Sequence, residues 1–264
     1  MIKNNRIRLL AVINDLMLVG TLLVNALANT IPIAGRTTGE VSDSYLNLFT
    51  PIGFTFAIWA IIYFLLILFA GFQTYLAFKK VHPDKDSIQR IGPWFAISSL
   101  ANIIWIFLWH NGMIYLSMLF MILILISLLK VYTASGIGEL VIHPLVKYLI
   151  HVPFSIYTGW ITVATIANAS ALLTDTGWTG SPLQPQSWAS IMLIIATLIT
   201  IIFLNKKHDI WFSLVVDWAI FGILMKHLSG YQFEYPLVVI TAIIGMLLIS
   251  VYCIYLIVIG KVYR

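Results

Sequence analysis

Long apolar runs with short polar breaks between them dominate this chain, and little charge is left with which to face water. Charged residues make up 9% of the 264 positions and hydrophobic ones 61%, whereas a soluble domain carries about 25% charged residues. The bilayer must therefore be the solvent for most of the chain. Crossing the hydrocarbon core takes about 20 mainly apolar residues in helix. A lipid-facing backbone must also satisfy its own hydrogen bonds, which favours helix over strand. The runs at 7–30, 51–78, 93–110, 113–133, 145–173, 188–205, 209–228 and 235–259 suit such crossings. The expected fold is all-α, a polytopic membrane bundle of about eight spans.

Charge placement tests that count. Lys3, Arg6 and Arg8 precede the first run, and Lys79, Lys80, Lys85 and Arg90 join the second to the third. Lys130 and Lys147 flank the break between the fourth and fifth, Lys206 and Lys207 that between the sixth and seventh, and Lys261 and Arg264 follow the last. Thirteen of the fifteen basic residues thus share one side, and only Arg36 and Lys226 take the other. A miscounted span would have mixed the two sets. The basic side is cytoplasmic by the positive-inside rule, which predicts a multi-pass cell-membrane protein with both termini inside. A net charge of +5 with this origin points to anionic lipid headgroups as inner-face contacts and not to nucleic acid. Ala26-Leu27-Ala28 behind a basic start resembles a signal-peptide cleavage site. The apolar run is longer than a usual signal core and contains Asn14 and Asp15, so it is read as a retained first span; cleavage would leave seven.

Two outer connections, 31–50 and 174–187, are long and rich in Gly, Pro, Ser and Thr. The first either folds over the outer mouth of the bundle or is a solvated connector. Of the nine tryptophans, Trp94, Trp109, Trp178, Trp188 and Trp211 fall near span ends or in loops and fit an interfacial aromatic belt. Trp59, Trp105, Trp160 and Trp218 lie inside spans. Trp59 sits about 12 Å, and Trp105 about 8 Å, from the outer end of its helix at 1.5 Å rise per residue. The four either pack as ordinary helix contacts or line one cavity. Asn25, Asn29, Asn102 and Asn168 follow the same depth trend. Such amides need partners, supplied either by interhelical hydrogen bonds or by a ligand among aromatic walls.

Two acids lie inside spans. Asp15 has Arg8 two turns earlier as a nearby cation. Asp217 has only Lys226, over two turns away, and is either a hydrogen-bonded structural acid or a candidate for proton or ion coupling. His110 and His151 fall near span ends and read as interfacial. The sequence shows no His-x-x-x-His or carboxylate–histidine pairing that suggests a metal. The single Cys253 reads as a small buried hydrophobe. Neither a nucleophile–base pair nor a phosphate-binding glycine loop is visible, which ranks an enzyme below a binder or transporter.

Three segments carry a family resemblance. Tyr157-x-x-Trp160-x-x-x-Ala164-Thr165-x-x-Asn168 resembles the fifth-helix motif of the tryptophan-rich sensory protein family, also called the translocator protein or peripheral benzodiazepine receptor family. Asn102-x-x-Trp105-x-x-x-Trp109 resembles its third-helix pattern. Pro51-Ile52-Gly53-Phe54-Thr55-Phe56-Ala57-Ile58-Trp59-x-x-x-Tyr63 resembles the opening of its second helix, with Phe54 where a Trp is typical. The resemblance covers residues 1 to about 173 as a five-helix unit, and residues 174–264 would add three further helices. It implies a binding protein for hydrophobic planar ligands, tetrapyrroles such as protoporphyrin or sterol-like molecules, with a sensory or transport role. It implies a pocket lidded by the loop after helix 1 and lined by Phe54, Trp59, Tyr63, Asn102, Trp105, Tyr157, Trp160, Ala164 and Asn168. Tetrapyrrole would then be a ligand and not a resident cofactor, porphyrin breakdown is an activity associated with the family, and a homodimer is compatible with the resemblance. The competing reading is a proton- or ion-coupled secondary transporter built around Asp217.

Overall fold

The computed structural model describes residues 2–31, 33–79, 85–139, 143–178 and 180–262. Lys80 and Arg264 from the charge count, and the side chain of Lys3, lie outside the described residues. Every long element is helical, and no strand occurs among the described residues. We number the long helices α1 (Ile2–Thr30), α2 (Ile58–Phe78), α3 (Trp94–His110), α4 (Ile114–Ala134), α5 (Val152–Asp175), α6 (Pro185–Lys207), α7 (Ile210–Ser229) and α8 (Pro236–Val258).

Among the described residues, seven helical segments are long and apolar enough to cross a membrane, so the chain is a multi-pass membrane protein. The remaining long helix, α3, has 17 residues, about 25 Å at 1.5 Å per residue, near the lower end of spanning length. Its two ends show that it traverses the bundle like the others. His110 at its end touches Thr38, in the connection that follows α1. Its start follows a short helix, Asp86–Ile91, that packs on α1 and α4. One end of the bundle gathers the connections after α1, α3, α5 and α7. The other gathers the described parts of those after α2, α4 and α6, where Lys207 is paired with Glu139, together with the start of α1 and the end of α8.

Helix starts follow the sequence. Pro185 and Pro236 open α6 and α8, where a missing N–H costs nothing. Pro153 falls in the first turn of α5, after a π-helical turn over Lys147–His151. The wider turn carries the chain past proline without breaking the helix. Asp209 caps α7, its Oδ1 accepting from the backbone N–H groups of Trp211 and Phe212 at 3.0 and 3.2 Å.

Polar contacts join specific helices. Asn14 of α1 donates to Gln73 of α2 at 3.1 Å, and Gln73 donates to Asp15 at 2.6 Å. Thr74 also donates to Asp15. Arg8, the cation expected near Asp15, instead lies over the Phe78 ring. Fully buried Asp209 accepts from Tyr132 of α4 and Ser155 of α5, each at 2.7 Å. It thereby ties the chain beyond residue 173 to the five helices before it. The buried apolar core is continuous from Ile7 to Leu256 across that point. His151, expected at the interface, is 1% exposed, because the π-helical turn that carries it is packed within the bundle.

Asp209→Ala removes a helix cap and strands two buried hydroxyl donors, and should cost about 3 kcal/mol. A mild-detergent unfolding curve should place it well below Asp217→Ala, which loses one bond to Ser250 at 3.0 Å.

Candidate functional site

The connection after α1 is folded. Thr37 caps a short helix, Thr38–Ser44, in a reciprocal box: its hydroxyl accepts from Glu40 N and the Glu40 carboxylate accepts from Thr37 N. The Thr37 backbone N–H and hydroxyl hold the Glu40 carboxyl below its usual range. This segment forms a lid. Trp109 of α3 donates its indole N–H to Thr38 O at 3.3 Å, and the Tyr45 ring lies 5.5 Å from that of Trp109. On the far side, Lys226 of α7 pairs with Asp43 at 2.7 Å, and His227 donates to Leu48 O at 2.9 Å. Lys226 thus answers the lid and not Asp217.

Under the lid, aromatic rings from three helices converge. Trp59 of α2 meets Trp160 of α5 edge to face at 6.1 Å. Trp105 stacks on Trp109 at 5.7 Å. The Trp105 indole donates to Asn168 at 2.9 Å, and Asn168 donates to Ser117 of α4 at 3.2 Å. This polar chain fixes the α3, α4 and α5 walls. The space left is about 40 Å³, room for a few waters and no more.

A second cavity of about 300 Å³ lies beside it against α1, bordered by Asn25, Asn29, Ala60 and Tyr63. Thr38, Phe56 and Trp59 line both spaces. Those three side chains are the partition between them. Phe56 stands edge-on to Trp160 at 5.9 Å. Trp160, 3% exposed, has an indole N–H without a partner among the described residues. A buried donor left open is costly and suits a ligand acceptor.

The residues expected from sequence separate into layers. Trp59, Trp105, Trp160, Ala164 and Asn168 line the closed cavity. Tyr63 lies on the α1 side, stacked on Trp59 at 5.2 Å. Tyr157 stands edge-on to Trp59 at 5.9 Å. Buried Asn102 accepts from Asn25 at 2.8 Å. Phe54 is a correction. It packs on Trp218 of α7 at 5.5 Å and is 44% exposed, outside the cavity. Residues two apart in a three-residue turn point different ways, so within Gly53–Ala57 Phe56 turns inward and Phe54 away. Trp218 likewise leaves the cavity and donates to Thr55 O at 3.0 Å.

Trp109 and His110 are buried at 5% and 1% exposure, not interfacial as their positions suggested. The lid covers the helix end that would otherwise reach the interface. Asp217 lines none of these spaces and accepts from Ser250. Sequence reasoning missed Phe56, although its three-residue offset from Trp59 puts both on one helical face.

Bundle and cavity define an integral membrane protein with an aromatic-walled site beneath a folded lid. The chain belongs to the family described as TSPO-like protein, whose model matches residues 11–255. The match extends through α6 and α7 into α8, well past residue 173, where the motif resemblance stops. No curated protein and no solved structure matches significantly.

Glu40 supplies a pH test of the lid. A carboxyl held below its usual range stabilises the fold above that range, and the contribution is lost as pH falls through the lowered value. Hydrogen-exchange protection of amides 38–44, corrected for intrinsic rates, should be retained at neutral pH and drop as pH falls below the ordinary glutamate range. Glu40→Ala should show the low-protection state at every pH.

Proposed function

We propose that this protein binds hydrophobic planar molecules, tetrapyrroles or sterol-like compounds, from a cell membrane in which both termini face the cytoplasm. The carrying observation is the convergence of Trp59, Trp105 and Trp160 from three helices beneath one lid. Flat ligands stack on such rings while a few polar groups fix their edges, and the unpartnered Trp160 N–H is a group of that kind. The orientation rests on the basic residues: Lys130, Lys147, Lys206 and Lys207 sit with the termini, while Arg36 and Lys226 sit at the lid end, as the positive-inside rule arranges them.

Small-molecule sites span about 300–1,000 Å³, so the 40 Å³ space is a closed state. Binding joins it to the 300 Å³ cavity by displacing Phe56. The role is binding, with the tetrapyrrole as ligand, and no chemical step is assigned.

Protoporphyrin titrated into detergent-solubilised protein should quench tryptophan fluorescence saturably. Trp105→Ala combined with Trp160→Ala should weaken the fitted affinity at least tenfold, about 1.4 kcal/mol. Phe56→Ala should strengthen it, because the largest movable part of the partition is removed. Equal affinity in wild type and the double variant, judged by lifetime changes of the remaining tryptophans, sinks the proposal.

A coupled-transport role for Asp217 is the second reading. Its Oδ1 is buried without a partner among the described residues, and intramembrane carboxylates of that kind often move protons. Unchanged proton-coupled uptake by Asp217→Asn in vesicles would remove it.

A further inference from the structure

A wider space than either of these cavities lies elsewhere. At the lid end, a cavity of about 530 Å³ opens between lid residues 46–49, the last turns of α5, the first turns of α6 and the α7–α8 connection. It shares no lining residue with the closed aromatic cavity, and two of its four walls lie wholly beyond residue 173. We propose that it is a second binding site, for an uncharged ring compound.

Its size falls within the small-molecule range without any rearrangement. Its walls favour rings. Trp178, Trp188, Tyr231 and Tyr235 line it, and aromatic side chains take offset or edge-on ring partners. Met192 supplies a polarisable wall that adapts to irregular shapes. The scaffold is preformed: Trp188 donates its indole N–H to Gly180 O at 2.6 Å and lies 4.9 Å from the Trp178 ring. A Cβ at Gly180, whose φ is +88°, would stand 2.8 Å from the Trp188 ring. Only glycine permits that seat.

The chemistry excludes charge. Among the described residues, no Lys, Arg, His, Asp or Glu lines the cavity. Several polar lining groups are already engaged within the protein. Asn47 donates to Tyr45 O at 3.0 Å and accepts from Phe49 N at 3.1 Å, while the Ser170 hydroxyl donates to Ile166 O at 3.0 Å. An ion entering would lose hydration with no counter-charge to meet it. A neutral ring loses little and gains stacking. This site stands independently of the tetrapyrrole reading.

Benzophenone is a neutral ring probe that reports its own location on irradiation. In nanodiscs it should label residues 46–49 and 185–192 saturably, and excess fluorene, an unreactive neutral ring compound, should displace it. Thr174→Trp, which fills the cavity from α5, should cut that labelling at least fivefold, and Tyr235→Ala should do so by removing a wall. Thermal unfolding checks that both variants fold. The Trp105→Ala, Trp160→Ala variant should label like wild type, whatever becomes of its porphyrin affinity. Labelling that does not saturate and spreads along lipid-facing helices would mean acyl chains fill a mere depression, and the proposal fails. Equal labelling by a trimethylammonium benzophenone would overturn the neutral class.

Discussion

Lipid tails are as apolar as leucine, so hiding leucine between helices does not decide which helices pair. In this bundle the choice falls to a few polar side chains and small residues. Asp209 joins α4, α5 and α7 through two hydroxyls and two backbone amides. The Asn14–Gln73–Asp15 chain joins α1 to α2, and Asn25 to Asn102 joins α1 to α3. Gly159 lets α5 approach α7 so closely that a Cβ would stand 2.8 Å from Phe212 O. Gly222 lets Thr55 press on α7, and there Ile52 N donates to Gly222 O at 3.1 Å. The geometry of the site is inherited from these pairings.

The segment before α2 shows how. Pinned to α7 through Gly222 and the Trp218–Thr55 bond, it can turn only in certain directions. Phe54 falls toward α7 and Phe56 toward Trp160. The three C-terminal helices therefore shape the aromatic cavity without lining it. The lid is shared in the same way. Its first half roofs the closed cavity with Thr38 and Ser42, and its second half walls the large one with residues 46–49. Both halves answer to α7, through Asp43–Lys226 and Leu48–His227.

Much of the fold was legible in the chain. The apolar runs and the one-sided basic residues predicted the helices in order and their alternation. The three motifs led to the right family and to five of the cavity-lining residues. Asn168 was legible as a residue needing a partner, and it found Trp105 and Ser117. Asp209 was not legible, because at a span boundary it reads as an ordinary polar break. Trp109 and His110 read as interfacial because depth along a helix says nothing about a loop folding back over its end.

Sequence by itself determined that the chain must live in a bilayer, that it crosses as a series of apolar helices, and where the rings fall along those helices. These follow from one-dimensional quantities, run length, charge order and rise per residue, that need no neighbour to be known. Only the tertiary structure decided that the rings meet with almost no void among them, that Phe56 and not Phe54 faces the others, and that a second, wider cavity opens at the lid end beside the added helices. Those outcomes depend on which way side chains turn and on how closely two backbones approach. Both are set by contacts between residues far apart in the chain, such as Gly222 with Thr55.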